Sequence, residues 1–153
     1  MDDTDKQYEI NSDEFFMKEA LKEARKAFDS NETPVGAVIV ADNQVIARAH
    51  NSCEALNDAT AHAELLAIGS ASNALGSKFL PGATLFITVE PCIMCAGACY
   101  WARLKRIVWG APDTKAGFTR TRRRIIHPST KIKSGVLESE CAEIIREFFS
   151  VKR

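Results

Sequence analysis

Apolar and polar positions along the first third of the chain follow two different periods. Phe16, Met17, Ala20, Leu21, Ala24, Ala27 and Phe28 recur every three or four residues with charged residues between them, which predicts an amphipathic helix. Asn11-Ser12-Asp13-Glu14 offers capping side chains at its start, and Asn31 with Pro34 closes it. The period then shortens. Apolar runs over 35–41 and 45–49 flank Asp42-Asn43 and predict a hairpin, the first strand being apolar on both faces as a central strand of a covered sheet would be. Further on, the pattern predicts a helix over about 61–75 that stops at Gly76, a strand over 84–89, a helix with Pro91 as its first residue running to 102, and a strand over 106–110. The last strand, helix and strand form a parallel crossover unit. Residues 111–135 are loop-rich, and a final helix over about 139–149 carries Ile144, Ile145, Phe148 and Phe149 on one face. With no internal repeat and no linker, residues 1–153 read as one three-layer α/β/α domain with a polar tail over 1–11.

Composition adds compartment and charge. A chain of 153 residues that is 46% hydrophobic and 26% charged is an ordinary globular protein. Its 20 Lys plus Arg balance 20 Asp plus Glu, which excludes a protein basic all over, but the balance is uneven: residues 103–133 hold ten basic side chains against Asp113 alone. Such a segment is either a solvated loop or a phosphate-contacting surface confined to one face. The acidic start is the opposite of a signal peptide, and the nearly uncharged stretch 91–102 is shorter than the roughly 20 residues of a membrane span, so a cytoplasmic protein is expected. Five cysteines, three of them clustered, suit a reducing compartment and a metal site better than a disulfide framework.

The candidate chemistry lies at two predicted helix starts. His62-Ala63-Glu64 and Pro91-Cys92-Ile93-Met94-Cys95 supply one imidazole and two thiols. Within a regular helix, residues two apart point about 200° from one another, so His62 and Glu64 can share a site only at an open helix end. Cys92 and Cys95, three apart, lie on one face, and a helix N-terminus favours their thiolates. His62, Cys92 and Cys95 make three tetrahedral zinc ligands, the number that leaves a position for water, with Glu64 beside them as proton carrier. A structural zinc or iron-sulfur module would need a fourth ligand, for which Cys99 is the candidate. Otherwise Cys99, like Cys53 and Cys141, is a packing residue.

His-x-Glu followed by Pro-Cys-x-x-Cys resembles the zinc deaminase signature. Together with Thr33-Pro34-Val35-Gly36-Ala37-Val38, Ala49-His50-Asn51 and Gly110-Ala111-Pro112-Asp113-Thr114-Lys115-Ala116-Gly117, it makes the chain similar to the bacterial tRNA-specific adenosine deaminases from Phe15 onward. The resemblance implies a cytidine-deaminase-like fold with a mixed five-stranded sheet, one zinc per chain, a homodimer, and conversion of adenosine to inosine at the wobble position of a tRNA anticodon stem-loop. It also implies residue roles. Glu64 would pass protons to adenine N1 and to the departing ammonia, Asn51 would bond the target nucleoside, Asp113 would contact the neighbouring nucleotide, and Pro34 and Val35 would wall the base pocket. Arg120, Arg122, Arg123 and Arg124 are the candidate RNA phosphate contacts. Tyr100-Trp101-Ala102-Arg103 resembles guanine deaminases of the same superfamily, so a free nucleobase or nucleoside deaminase stands as the second reading.

Overall fold

The computed structural model describes residues 7–151; the first six residues of the expected polar tail, and Lys152 and Arg153, lie outside the described residues. Helix α1 (Asp13–Asp29) starts where the Ser12 hydroxyl accepts a hydrogen bond from the Phe15 amide at 3.1 Å, so of the four capping candidates Ser12 is the one used. Strands β1 (Gly36–Ala41) and β2 (Gln44–His50) pair antiparallel across Asp42 and Asn43, at φ 51° and 60°. Two consecutive positive φ values make the turn type whose twist matches a hairpin, and asparagine and aspartate tolerate them best among non-glycine residues.

Helix α2 (Ala63–Leu75), strand β3 (Thr84–Val89), helix α3 (Ile93–Ala102), strand β4 (Arg106–Ala111), strand β5 (Lys131–Lys133) and helix α4 (Glu138–Val151) follow. The sheet order is β2-β1-β3-β4-β5, with β1 antiparallel to both neighbours and β3, β4 and β5 parallel. Alternate residues of the central strands face opposite layers. Val38, Val40, Phe86 and Val108 pack with Phe16, Met17, Ala20 and Cys141 of α1 and α4, whereas Ala37, Ile39, Leu85, Ile87 and Ile107 pack with Ala67, Ala71, Ala96 and Cys99 of α2 and α3. This is the expected three-layer arrangement with a mixed five-stranded sheet.

Four details differ from the sequence pattern. Helix α3 begins at Ile93, with Cys92 as the extended capping residue and Pro91 outside it, and α2 begins at Ala63, with His62 in the same capping role. On α4 the buried line is Cys141, Ile144 and Phe148, spaced three and four apart; Ile145 is half-buried and Phe149 stands exposed, one position past the buried stripe. Strand β5 lies in the segment expected to be loop, because Lys-Ile-Lys is only three residues long and exposed throughout.

Two contacts fix α1 against the sheet. A Cβ at Gly36 would come within 2.1 Å of the Ala20 carbonyl oxygen, so only glycine lets β1 approach the α1 backbone this closely. Asp13 accepts from Arg106 at 2.9 and 3.2 Å and from Lys133 at 2.9 Å, tying the start of α1 to β4 and β5. Burial alone would raise the Asp13 carboxyl, but the hydrogen bonds and charges of Arg106 and Lys133 outweigh it and hold the group below the usual carboxylate range. A depressed acid stabilises the fold in full above its unfolded value near 3.8, and the contribution disappears as pH falls through the lower folded value. The partners are partly exposed, so Asp13→Asn is expected to cost only about 1 kcal/mol at pH 7. Chemical denaturation should show that gap closing below pH about 4.

Candidate active site

The site is assembled where β3 runs out and the N-termini of α2 and α3 meet. His62 and Cys92 sit at the capping positions in extended backbone, and neither side chain caps its own helix, so both are available for another use. Because His62 precedes the helix while Glu64 lies in its first turn, the opposed directions expected of residues two apart do not arise. His62 Nδ1 lies 3.7 Å from the Cys92 sulfur and 3.5 Å from the Cys95 sulfur, and these atoms all fall within 4.8 Å of one another. The hydrogen bond from Cys95 and the neighbouring His62 ring lower the Cys92 thiol to about 5 against the opposing effect of burial, while Cys95, which keeps the proton of that bond and is itself buried, is pushed up. One imidazole nitrogen and a thiol–thiolate pair at this spacing fit zinc, and three donors leave a coordination position for water.

Glu64 is 4% exposed. Burial, aided by Cys92, pushes its carboxyl up to about 7 against the hydrogen bonds of its own amide and of Cys95 and the charge of His62. A carboxyl poised near neutrality can both give and take a proton. Cys99 lies in the core beneath α2 and α3, outside the three-donor group, so the fourth ligand of a structural zinc or iron-sulfur module is missing among the described residues. Cys141 is likewise packing, its sulfur lying where a Cβ on Gly110 would be.

The remaining sequence-predicted residues take more varied places. Asn51 donates its backbone N–H to the Val35 carbonyl at 3.1 Å, and its side-chain oxygen accepts from the Ala63 amide at 2.8 Å. The side chain therefore holds the start of α2 and keeps its NH2 as a donor. Pro34 is buried and Val35 half-buried beside it. The Asp113 Oδ1 atom accepts from the amides of Lys115 and Ala116, both at 3.0 Å, so this carboxylate shapes its own turn. Arg120, Arg122, Arg123 and Arg124 are all exposed, on and after a single 3-10 turn over Phe118–Arg120. The basic segment does not form one surface: Arg106 and Lys133 are taken up by Asp13 in another layer.

Two buried carboxylates escape the sequence pattern. Glu90, next to the cysteine segment, accepts from the amides of Asp113 at 3.2 Å and Thr119 at 3.0 Å and from the Thr119 hydroxyl at 2.8 Å. Gly117 rests against it, where a Cβ would come within 2.2 Å of its Oε2 atom. Glu32 accepts from the amides of Glu54 and Ala55 at 2.9 and 2.8 Å, bracing the loop between β2 and α2. Each loop that borders the metal donors is thus moulded on a buried carboxylate.

Residues 10–111 match the family described as the cytidine and deoxycytidylate deaminase zinc-binding region. The chain belongs to this deaminase family. Among its relatives, the tRNA-specific adenosine deaminase of Agrobacterium fabrum is 48% identical over 143 residues, covering 90% of this chain and 94% of the relative. A solved structure from a study of A-to-I editing by tRNA:A34 deaminases at the wobble position of transfer RNA superposes with a TM-score of 0.80 at 47% identity, over 84% of this chain and 97% of the other. The guanine deaminase of Bacillus subtilis is also similar, at 42% identity and a TM-score of 0.64, over 66% of this chain and 65% of its own. The family is described by its zinc-binding region, and here His62, Cys92 and Cys95 stand together at one helix junction beside the buried Glu64.

Proposed function

We infer that the protein is a zinc-dependent hydrolase that deaminates adenosine to inosine at position 34, the wobble position, of tRNA. The observation that carries this reading is the convergence of His62, Cys92 and Cys95 beside the buried Glu64, in a chain 48% identical to a tRNA-specific adenosine deaminase over nearly its whole length. His62, Cys92 and Cys95 hold the metal. Zinc bound there lowers the pKa of water toward neutrality and so supplies a nucleophile at cellular pH. Protonated Glu64 gives its proton to adenine N1 and takes one from the attacking water, then passes that proton to the amino group that leaves C6 as ammonia and recovers one from the C6 hydroxyl as the carbonyl of inosine forms. Water and adenosine are consumed, and inosine and ammonia form. The Asn51 NH2 donates to the nucleoside, Pro34 and Val35 wall the base, and the turn built on Asp113 meets the adjoining nucleotide of the anticodon loop. Arg120, Arg122, Arg123 and Arg124, on the loop anchored by Glu90, meet its phosphates.

The working unit is a homodimer. Ile93, Met94 and Trp101 are 53%, 38% and 70% exposed along α3, an apolar strip that a second copy would cover. A cytoplasmic location accords with this substrate; no helix among the described residues is long and apolar enough to cross a membrane. Incubation with total tRNA, and separately with free guanine, guanosine, cytosine and cytidine, tests the reading. Inosine at the first anticodon position is expected. Rapid ammonia release from a free base with tRNA unchanged would replace it with the nucleobase reading that the guanine deaminase likeness favours.

A further inference from the structure

The far end of α3 carries a second basic surface that the site does not use. A groove of about 550 Å³ there is lined by Phe79, Pro81, Arg103, Leu104, Lys105, His127 and Ser129. None of its lining residues is acidic, and Lys78 and Lys131 stand beside it, Lys78 with its ammonium 5.2 Å from the Phe79 ring centre and Lys131 with its amide bonded to the Lys105 carbonyl. Among the described residues, Lys78, Arg103, Lys105 and Lys131 enter no ion pair, in contrast to Arg106 and Lys133. Helix α3 has ten residues, so at about 1.5 Å per residue this end lies roughly 15 Å from the metal donors.

Arg103 distinguishes the groove from an ordinary solvated face. It closes α3 at φ 58°, in the left-handed region that favours glycine, and so keeps a long cationic side chain where the backbone would prefer none. Its guanidinium lies 5.8 Å from the ring centres of both Phe79 and Tyr100, and its Nη1 atom lies 3.3 Å from His127 Nε2. An arginine already held by three rings loses little rotamer freedom when it meets an anion, and its planar fork matches a phosphate.

We propose that this groove is a second RNA contact, at which Arg103, Lys105 and Lys78 bind phosphodiester groups of the tRNA outside the anticodon stem-loop. It rests on the tRNA reading above. Because it stands apart from the metal donors, it adds affinity for a full-length tRNA without altering the chemical step.

The test compares the unsubstituted protein with an R103G/K105A/K78A variant on two RNAs, full-length tRNA and its isolated anticodon stem-loop. Glycine at position 103 suits the positive φ, so the variant keeps its fold, which its melting temperature will show. On full-length tRNA, KM is expected to rise about tenfold with kcat unchanged, and the slope of log affinity against log salt should fall by about 2 to 3 as three phosphate contacts disappear. On the stem-loop, both constants should stay within twofold. Equal loss on the two RNAs, or no loss on either, overturns the proposal. Absence of inosine from the unsubstituted protein on both RNAs instead overturns the deaminase reading and the substrate contact with it.

Discussion

Glu64→Gln is expected to lower single-turnover inosine formation by about a thousandfold while the variant still holds one zinc per chain. A positioned proton carrier typically contributes 10²- to 10⁴-fold, and here one carboxyl serves both the ring nitrogen and the leaving group. Glutamine keeps the volume but cannot pass a proton. The same change should leave the metal-free protein more stable, because burial lifts the Glu64 carboxyl to about 7 from an ordinary value near 4.5. An acid raised in the folded state favours unfolding increasingly as pH climbs from the lower value to the higher and by a constant amount above it. At pH 8 the gain is therefore on the order of 1–3 kcal/mol, at 1.36 kcal/mol per unit. A variant that retained a tenth of the activity would remove Glu64 from the reaction.

The metal donors supply the second large effect. His62→Ala is expected to abolish turnover and to yield a protein that loses zinc on dialysis, since two sulfurs alone do not make a closed three-ligand set. Acid should do the same to the unsubstituted protein. With Cys92 held near 5 and Cys95 pushed up, the metal-free pair carries one proton at neutral pH, which zinc must displace. Zinc affinity against a competing chelator is then expected to fall about tenfold per unit as pH drops from 7 to 6, and more steeply near 5 as Cys92 also takes a proton. Affinity independent of pH over that range would contradict the assignment of both sulfurs.

The parts of this molecule that were legible in its sequence are those whose cause is local. Helix α1 shows in the spacing of Phe16 through Phe28, and the hairpin shows in Asp42-Asn43. The metal donors were visible because the chemistry needs an imidazole and two thiols at helix starts, and spacing expresses that. What stayed hidden depends on residues far apart in the chain. Glu90 finds its donors 23 and 29 residues away, mostly backbone amides that leave no mark in a side-chain pattern. Asp13 divides the basic segment by drawing Arg106 and Lys133 across 93 and 120 positions. Nor did composition separate Phe148, buried, from Phe149, exposed; only the rotation of α4 against the sheet does that.

Strand β5 has a bearing on assembly. It closes one border of the sheet with three residues, two of them lysines, and so presents too short and too charged a ladder to template another chain. A border blunted in this way keeps the sheet at five strands and leaves no open ladder there for another chain to extend.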